Sequence, residues 1–397
     1  MTAADPDLAN ARILLVRTSS LGDVVHSLPV LAALRRHLPG ARIGWVVEEA
    51  FAPLLAGHPD LDQLIVVRLR PWGRRPWQVR TLGEIAGFLA ALDRFAPQVV
   101  LDLMGNHKAA AIAALSLAPR RIGHARAGRR EPSSAFWLSE RVPVDGSHAV
   151  DRALSLLDAL GLPREPADFG GHKLFRATTG PAAAVPGAAA PRFALIHPGA
   201  GWGNKAYPPA WWGEAARRLH AATGVRTRVA AAPGEEALAA AVVAAAGGLP
   251  EVTAAGGLPE VTAAGGLPEV TAAGGISEVA AGGGCPAASG GGSEPAAEVV
   301  AAPDLPALAA LLRGAALMLG GDTGPTHLAH ALGTPVLMVM GPTDPDRHGP
   351  YGAPERALYR RLPCSFCYRR FDEAKACLLE LPPERVAERA AALLGGR

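Results

Sequence analysis

Residues 12–37 read RILLVRTSSLGDVVHSLPVLAALRRH, and this stretch decides the fold class. The apolar run at 12–17 predicts a buried strand, and the residues after the following loop predict a helix that ends near His37. An apolar strand that leads through a short loop into a helix is typical of a parallel sheet with helices on both faces. The chain is therefore expected to open with a βαβ unit.

The same alternation of apolar strands and helices continues along the chain and restarts once. Strands are predicted at 42–48, 64–67, 98–103, 193–197, 225–231, 316–320 and 336–340, and helices at 81–95, 148–160, 209–222, 235–246 and 383–394. The restart follows a segment rich in Pro, Gly and Ala at 177–191, a composition typical of interdomain linkers. Two α/β domains are predicted, at 1–180 and 181–355. A C-terminal segment at 356–397 follows, and its helix has a possible place on either domain.

A low-complexity segment interrupts the second half. The nonapeptide GGLPEVTAA occurs three times at 247–273 and then degrades into a tract of Gly, Ala and Ser. Each copy carries few side chains that a core would bury, and the copies lack the Asp of calcium-binding nonapeptide repeats. We expect residues 247–293 to form a disordered insert between a helix and the next strand. The sequence indicates no role for it.

The composition favours a folded protein without a strong overall charge. Of the 397 residues, 49% are hydrophobic and 19% are charged, which is too apolar for a disordered chain. Lys and Arg number 39 against 36 Asp and Glu, so an anion-binding role requires local clusters of basic residues. Four cysteines indicate a reducing compartment rather than a disulfide scaffold. The sequence shows neither a secretory signal nor an apolar run long enough to span a bilayer, which predicts a cytoplasmic protein.

The loop 17–23 (RTSSLGD) is the first candidate site. It follows the first strand and opens the first helix, where open α/β sheets form their ligand crevice. Gly22 would let a ligand approach the backbone, and the free N–H groups of a helix start attract anions. The alternative is that Ser20 or Asp23 only caps the helix. The loop is not GxGxxG, which disfavours a nicotinamide dehydrogenase.

Two glycine-rich loops of the second half are further candidates for anion binding. Residues 320–327 (GGDTGPTH) again follow a strand and open a helix, and their backbone N–H groups suit a diphosphate. His327 lies one turn into that helix. Residues 197–205 (HPGAGWGNK) end on Lys205, one of only four lysines, which is placed to neutralise a phosphate. The alternatives are a tight turn capped by Asp322 and an ordinary surface lysine.

Two basic clusters lie in the first half. Residues 68–80 (RLRPWGRRPWQVR) hold five arginines and two tryptophans without one acidic residue, and residues 120–130 (RRIGHARAGRR) hold five more arginines. No nucleic-acid fold signature accompanies them, so nucleic acid is not the expected partner. A phosphorylated or acidic small molecule and an anionic membrane surface both fit these clusters. A merely solvated surface is the alternative.

The spacing of Cys364, Cys367 and Cys377 is typical of part of a metal site. Zinc needs four ligands, and the fourth cysteine, Cys285, lies in the low-complexity segment. His348 is the other candidate ligand, and nothing in the sequence fixes its position. Reduced or half-buried thiols are therefore expected, and no metal site is predicted.

Together these stretches resemble the glycosyltransferase family that contains the bacterial lipopolysaccharide heptosyltransferases. The stretch RTSSLGDVVHSLPVLAALRRHLPG, followed by WVVEE, is most similar to the heptosyltransferase I branch of that family. HPGAGWGNKAYPPAWW and GGDTGPTHLAHALGTPVLMVMGPTDP resemble the family's second domain. The resemblance covers nearly the whole chain apart from 247–293. It implies the α/β GT-B fold, with two Rossmann-like domains facing across a cleft and a C-terminal helix that crosses back to the first domain.

The resemblance also implies an activity and a set of site residues. The implied reaction is inverting, metal-independent transfer of L-glycero-D-manno-heptose from ADP-heptose to the Kdo-lipid A inner core, without a cofactor, at the cytoplasmic face of the anionic inner membrane. Asp23 matches the family's catalytic carboxylate, which would take the proton of the acceptor hydroxyl. The implied donor-binding residues are Lys205, Glu235, Asp322, Thr323, Gly324 and His327. The implied acceptor-binding residues are Ser20, Gly22, Arg74, Arg75, Lys108 and Arg130.

The chain also departs from the family pattern, and alternatives stay open. The insert adjoins the donor half, and the three cysteines resemble other branches of the family, so the position on the acceptor is not determined. One alternative is a related transferase that uses another acceptor or another nucleotide sugar. A second is a non-catalytic protein that binds a nucleotide sugar or a lipid on the same fold. The presence of both Asp23 and Lys205 argues against the second, because a pure binder needs no base.

Overall fold

The structure is a computed structural model that describes residues 8–179, 193–247, 252–254, 295–370 and 376–395. The first domain contains six parallel strands: β1 (Arg12–Val16), β2 (Arg42–Glu48), β3 (Gln63–Val67), β4 (Val99–Asp102), β5 (Arg120–His124) and β6 (Glu140–Val142). Its helices are α1 (Leu21–His37), α2 (Ala52–Leu55), α3 (Leu69–Arg74), α4 (Val79–Phe95), α5 (His107–Leu115), α6 (Ala149–Leu154) and α7 (Arg176–Thr179). The strand order β3-β2-β1-β4-β5-β6 is that of a Rossmann-like sheet.

The central strand β1 shows why an apolar run becomes a strand covered on both faces. Alternate side chains of a strand point to opposite faces of the sheet. Ile13 and Leu15 belong to the core that includes the apolar side of α1. Leu14 and Val16 belong to a second core, on the side of α4 and α5. Because both faces are buried, the strand is apolar throughout.

The second domain repeats this architecture. Its strands are β7 (Phe193–His197), β8 (Arg226–Ala231), β9 (Val252–Ala254), β10 (Ala297–Ala301), β11 (Leu317–Gly321), β12 (Val336–Met340) and β13 (Ala357–Tyr359). Its helices are α8 (Pro209–Thr223), α9 (Glu236–Ala245), α10 (Leu305–Gly314), α11 (Gly324–Ala331), α12 (Pro345–His348), α13 (Ala376–Leu379) and α14 (Pro383–Gly395). The parallel strands follow the order β13-β12-β11-β7-β8-β10-β9. Apart from the edge strand β9, this is the order of the first sheet.

The predicted alternation and its restart are confirmed. Strands β5, β6, β10 and β13 were not predicted, and two predicted segments differ locally. The helix predicted at 148–160 is α6 followed by a 3-10 helix at Ser155–Leu160. Within the segment predicted as a disordered insert, β9 pairs in parallel with β10, and its two β-branched residues favour a strand. The rest of that insert and most of the linker predicted at 177–191 lie outside the described residues.

The two domains contact each other through α1 and α11, whose N-termini meet. A Cβ on Gly22 would lie 2.7 Å from Cδ2 of the His327 ring, and a Cβ on Gly324 would lie 2.7 Å from Cβ of Leu21. Each helix start therefore carries a glycine where the other domain approaches the backbone. The loops that precede α1 and α11 consequently lie next to each other.

The C-terminal helix α14 differs from the expectation that it crosses back to the first domain. Val386 and Ala390 of α14 pack in the core of the second domain, together with Trp212 of α8. The hydroxyl of Tyr207 donates a hydrogen bond of 2.6 Å to the carbonyl oxygen of Leu381, just before α14. The apolar face of α14 is thus covered by the second domain, and that part of the implied fold was wrong.

Candidate active site

The candidate site lies where the N-termini of α1 and α11 meet between the domains. The loop that precedes α1 follows β1, and the loop that precedes α11 follows β11, so each lies at the carboxyl edge of its own sheet. The first N–H groups of a helix have no partner within the helix, and they give that end a partial positive charge. Two such ends converge here, which suits an anionic ligand.

Asp23 lies in the first turn of α1, and its side chain is 37% exposed. Nη2 of Arg17 lies 2.5 Å from its Oδ1, while the backbone N–H and the hydroxyl of Ser20 donate to its Oδ2 at 3.2 and 2.9 Å. Burial alone would raise the pKa of Asp23, but the Arg17 cation and the two Ser20 hydrogen bonds outweigh it and lower that pKa. Asp23 is therefore an anion at neutral pH. The contact with Ser20 agrees with the capping alternative, and both carboxylate oxygens have partners, Oδ1 in Arg17 and Oδ2 in Ser20.

A chain of contacts links Lys205 to the first domain through Asp322. Nζ of Lys205 lies 2.6 Å from Oδ2 of Asp322, and Nε2 of His327 lies 2.9 Å from Oδ1 of the same carboxylate. Nδ1 of His327 then lies 3.1 Å from Nε2 of His26 on α1. Lys205 is therefore not an ordinary surface lysine, and Asp322 does more than cap a turn.

Burial would raise the pKa of the Asp322 carboxyl. The hydrogen bond from His327 and the Lys205 cation overcome that effect and hold the pKa well below its usual value. Asp322 is thus an ionised carboxylate that accepts hydrogen bonds on both oxygens. Its charge compensates that of Lys205.

The remaining donor-site predictions surround this carboxylate. Thr323 is the N-cap residue of α11, and Gly324 is its first residue. Trp202 lies between two cations, with Nζ of Lys205 4.3 Å and the guanidinium carbon of Arg370 4.5 Å from its ring centre. Arg370 is a cation of this site that the sequence did not reveal. It reaches the site because the segment before residue 370 packs on the glycine-rich loop, where Nδ2 of Asn204 donates to the carbonyl oxygen of residue 369 at 2.7 Å.

Glu235 lies immediately before α9, near the end of β8. Its Oε2 is 3.4 Å from Nε2 of His197, the last residue of β7. The neighbouring His197 ring lowers the pKa of the Glu235 carboxyl, so it is an anion. A Cβ on Gly199 would lie 2.2 Å from Oε1 of Glu235, so a side chain at this point would displace the Glu235 carboxyl. The structure thus brings Glu235 to the same loop as Lys205.

The predicted acceptor residues lie along the carboxyl edge of the first sheet. Lys108, in the first turn of α5, and Arg130, between β5 and β6, are exposed, and the segments that carry them are joined. The N–H of Glu131 donates to the carbonyl oxygen of Gly105 at 3.0 Å, and the N–H of His107 donates to the Glu131 carboxylate at 2.7 Å. Lys108 and Arg130 are thereby held at one place beside β4.

Arg74 and Arg75 are also exposed, at the end of α3 after the edge strand β3. They lie two strands away from β1, so the structure does not place them in direct contact with Asp23. Ser20 and Gly22 flank Asp23, and the space above Gly22 is filled by the His327 ring. The roles of all these residues toward the acceptor stay predictions.

The two basic clusters are less uniform than their sequences suggest. Arg129 is fully buried, with Nη2 2.5 Å from Oδ2 of the equally buried Asp102. In the other cluster, Arg68 contacts Glu49 and Glu84 at 2.9 and 2.7 Å. Acidic residues outside the two clusters thus neutralise some of the arginines. The local sequence alone had suggested that these arginines form an unpaired basic surface.

Besides Arg370, three groups near the site were given no role by sequence reasoning. Arg17 begins the first loop, and its cationic type beside Asp23 was the available signal. His26 follows Asp23 by three residues, which places it on the same side of α1. Asp102 ends β4, and its Oδ1 accepts the N–H groups of residues 104 and 105 at 3.0 Å each.

The three described cysteines do not form a recognisable metal centre. Cys364 and Cys367 are exposed free thiols, and Cys377 is buried. Burial raises the pKa of the Cys377 thiol. In the parts of the chain that the structure describes, no group of three or more His, Cys, Asp or Glu side chains is arranged to hold a metal ion. Over the same residues, none of the helices combines the length and the apolar character needed to cross a membrane.

Two Rossmann-like domains that bring a carboxylate and a lysine-containing loop together are the arrangement expected of a glycosyltransferase of the GT-B type. Comparisons with known proteins agree. The family model for glycosyltransferase family 9 (heptosyltransferase) matches residues 88–263 and 287–377. The chain belongs to this family.

Individual relatives and solved structures add detail. Lipopolysaccharide heptosyltransferase 1 of Pseudomonas aeruginosa is 32% identical to the chain, over 96% of this chain and 98% of the relative. The protein of the same name from Escherichia coli K12 is 28% identical over 86% and 91% of the two chains. The solved structure of the E. coli heptosyltransferase WaaC with ADP superposes with a TM-score of 0.70, at 25% identity over 96% of this chain and 99% of that one. The predicted family, its resemblance to the heptosyltransferase I branch, the GT-B fold and heptose transfer are confirmed.

Proposed function

We propose that the protein transfers a heptose from ADP-heptose to the Kdo-lipid A inner core of lipopolysaccharide, with inversion at the anomeric carbon and without a metal ion. The relatives named lipopolysaccharide heptosyltransferase 1 match almost the whole chain, which supports the choice of acceptor pathway. The similarity to an enzyme solved with ADP supports an adenine nucleotide as the leaving group.

The observation that carries the proposal is the position of Asp23 opposite the pair of Lys205 and Asp322. In a single displacement, Asp23 takes the proton of the acceptor hydroxyl as its oxygen bonds to the anomeric carbon. The bond from that carbon to the diphosphate oxygen breaks, and ADP leaves with the electron pair. Because attack and departure occur on opposite faces of the sugar, the configuration inverts.

Stabilisation of the leaving diphosphate falls to the second domain. Lys205 supplies a cation, and the N-terminus of α11 at Thr323 and Gly324 supplies N–H groups and a partial positive charge. These groups can offset the charge that develops on the departing ADP. His327 and Asp322 are assigned to the donor sugar and phosphates, and Glu235 to the ribose.

The acceptor is assigned to the exposed cations at the carboxyl edge of the first sheet. Lys108, Arg130, Arg74 and Arg75 can pair with the carboxylates and phosphates of a Kdo-lipid A type molecule. Trp77 lies among these arginines and is 87% exposed, and a half-apolar ring beside cations suits the interface of an anionic bilayer. We therefore place the protein at the cytoplasmic face of the inner membrane as a peripheral protein.

A direct assay tests this function. The protein is incubated with ADP-heptose and Kdo-lipid A, and mass spectrometry measures the addition of one heptose to the acceptor. Transfer in the presence of a chelator supports the metal-independent reaction. Transfer from another nucleotide sugar but not from ADP-heptose would instead identify a sister enzyme, and binding without transfer would identify a non-catalytic protein.

The variant Asp23→Asn tests the base. It should lose about 10²- to 10⁴-fold in kcat, the usual contribution of general base catalysis, while the affinity for ADP changes little. Asp304→Asn is a matched control, because Asp304 also lies at a helix start and its carboxylate accepts the N–H of Ala307 at 2.8 Å. Near-normal kcat of Asp23→Asn would reduce Asp23 to a cap.

A further inference from the structure

His26 makes a hydrogen bond that links the helix of the proposed base to the proposed donor site. It lies on α1 one turn after Asp23 and is 5% exposed. Its Nε2 lies 3.1 Å from Nδ1 of His327 in the other domain. The two rings meet edge to face, with their centres 4.3 Å apart. The contact is therefore a specific one between two buried side chains.

The partners of His327 determine which of its nitrogens carries the hydrogen. Asp322 is ionised and only accepts, so Nε2 of His327 donates to its Oδ1 across 2.9 Å. In the neutral ring Nδ1 is then without a hydrogen and needs a donor. The Nε2–H of His26 is placed to be that donor.

If position 26 served only to fill the core, an aliphatic side chain would be more stabilising there than histidine. Burial lowers the pKa of His26 well below its usual value, so the ring is neutral. With its hydrogen on Nε2, its Nδ1 is a buried acceptor, and this atom has no hydrogen-bond partner in the described part of the chain. A buried polar atom without a partner destabilises the fold, which an aliphatic residue would avoid. The hydrogen bond from its Nε2 to His327 is thus the reason for a histidine at this position.

We propose that His26 is a positioning residue for the donor site. It donates to Nδ1 of His327, fixes the tautomer and the orientation of that ring, and through it holds the Asp322 carboxylate toward Lys205. This inference rests on the proposed assignment of Asp322, His327 and Lys205 to the donor. His26 and Asp23 belong to the same helix. The same hydrogen bond therefore also fixes the position of the proposed base, Asp23, relative to the loop that precedes α11.

Three substitutions of His26 test the kinetic consequence. In His26→Leu the donor is lost, and we expect kcat/KM for ADP-heptose to fall about tenfold, equivalent to about 1.4 kcal/mol, with the acceptor KM unchanged. His26→Gln places an N–H near the position of Nε2 and should recover most of the loss. His26→Asn has a shorter amide that does not reach His327, and it should not recover it. Equal kinetics of the Gln and Asn variants would overturn the inference even if the Leu variant does not fold.

His148 offers a matched control. It is also a buried histidine of the first domain, 7% exposed, and its Nε2 contacts the other domain, at 3.0 Å from the carbonyl oxygen of Gly349. It makes no hydrogen bond to Asp322 or His327 among the described residues. His148→Leu should change kcat/KM for the donor less than twofold. Because the ring centres of His148 and His26 lie 5.4 Å apart, a loss equal to that of His26→Leu would assign the effect to packing around His26 and not to its hydrogen bond.

The tautomer is measured without turnover. In protein labelled with ¹⁵N-histidine, the ring nitrogens of His327 should show the Nε2–H form in the wild type and in His26→Gln. In His26→Leu the His327 signals should shift toward a mixture of tautomers. Unchanged His327 signals in His26→Leu would refute the positioning role. If the wild type does not use ADP-heptose, the proposed function fails while this measurement still decides the role of His26.

Discussion

Replacing Arg129 with Met will leave the buried Asp102 carboxylate without its cation. Both side chains are 0% exposed, and the two charged atoms are 2.5 Å apart. Removing one partner of a buried pair costs about 3–5 kcal/mol, because the other charge stays buried and unpaired. In a domain of this size each kcal/mol shifts Tm by about 2–4 °C, so Tm of the first domain should fall by about 6–20 °C.

Calorimetry of the single and double variants separates the pair from general damage. Arg129→Met/Asp102→Asn removes both charges, while the Asn oxygen can still accept the two N–H groups that Asp102 binds. The double variant should therefore recover more than half of the lost stability. Arg164→Met is the control. Its side chain contacts Asp158 at the surface, with both side chains at least one-third exposed, and its loss should cost less than about 1 kcal/mol.

The same pair also organises the two segments that carry Lys108 and Arg130, which we assign to the acceptor under the proposed function. Asp102 closes the loop that leads to Lys108, and Arg129 precedes Arg130, so the variant should raise the acceptor KM more than the donor KM. A Tm within 2 °C of the wild type would refute the energetic reasoning. A donor KM that rises as much as the acceptor KM would refute the assignment of these loops to the acceptor.

Three further predictions address the basic surface, the insert and pH. Arg74→Glu/Arg75→Glu should raise the acceptor KM several-fold at low salt and leave the donor KM unchanged, and the difference should shrink as salt increases; unchanged kinetics at low salt would return both residues to the solvated surface. Deleting 247–292 and closing the chain with a short turn should keep activity within a few-fold, since the strand it removes from the described part of the sheet, β9, lies at the edge. A large fall in Tm would contradict this. Burial lowers the pKa of His330 and His348 to about 4. An unfolded chain binds protons at these sites already near pH 6.5, so the free energy of unfolding should fall as pH decreases from about 6.5 to 4, by up to about 1.4 kcal/mol per pH unit for each histidine; equal urea midpoints at pH 7.5 and 5.5 would contradict it.

The sequence predicted those elements whose side chains are buried on both faces. The strand predicted at 336–340 is β12 residue for residue, because Val and Met runs have no polar face to obscure the pattern. The strand β5 was overlooked because it begins with two arginines, which were interpreted as part of a basic surface. Arg120 instead pairs with Glu140 on the neighbouring strand, with Nε 2.7 Å from Oε1. Such a pairing depends on the register of the sheet, which the local sequence does not contain.

The candidate site also has parts that could be predicted from the local sequence and parts that could not. Loops that follow an apolar strand and open a helix were recognisable one by one, because strand, glycine and helix start are contiguous in sequence. The hydrogen bond between His26 and His327 joins residues 301 positions apart, and neither histidine differs in its local pattern from one that fills a core. Contacts of this kind require the docking of two complete domains.

The glycines of the two loops show how local interpretation and tertiary structure combine. Gly22 was predicted to admit a ligand to the backbone, yet the group next to it is the His327 ring, and Gly324 in turn accommodates Leu21. Gly22 and Gly324 have no side chain, and this allows the N-termini of α1 and α11 to approach each other. That approach brings two partial positive charges and the cations Arg17 and Lys205 together, with Asp23 and Asp322 as their paired anions. Under the proposed function a diphosphate would compete with Asp322 for Lys205, and the ion pair with Asp322 would hold this cation in place for the diphosphate.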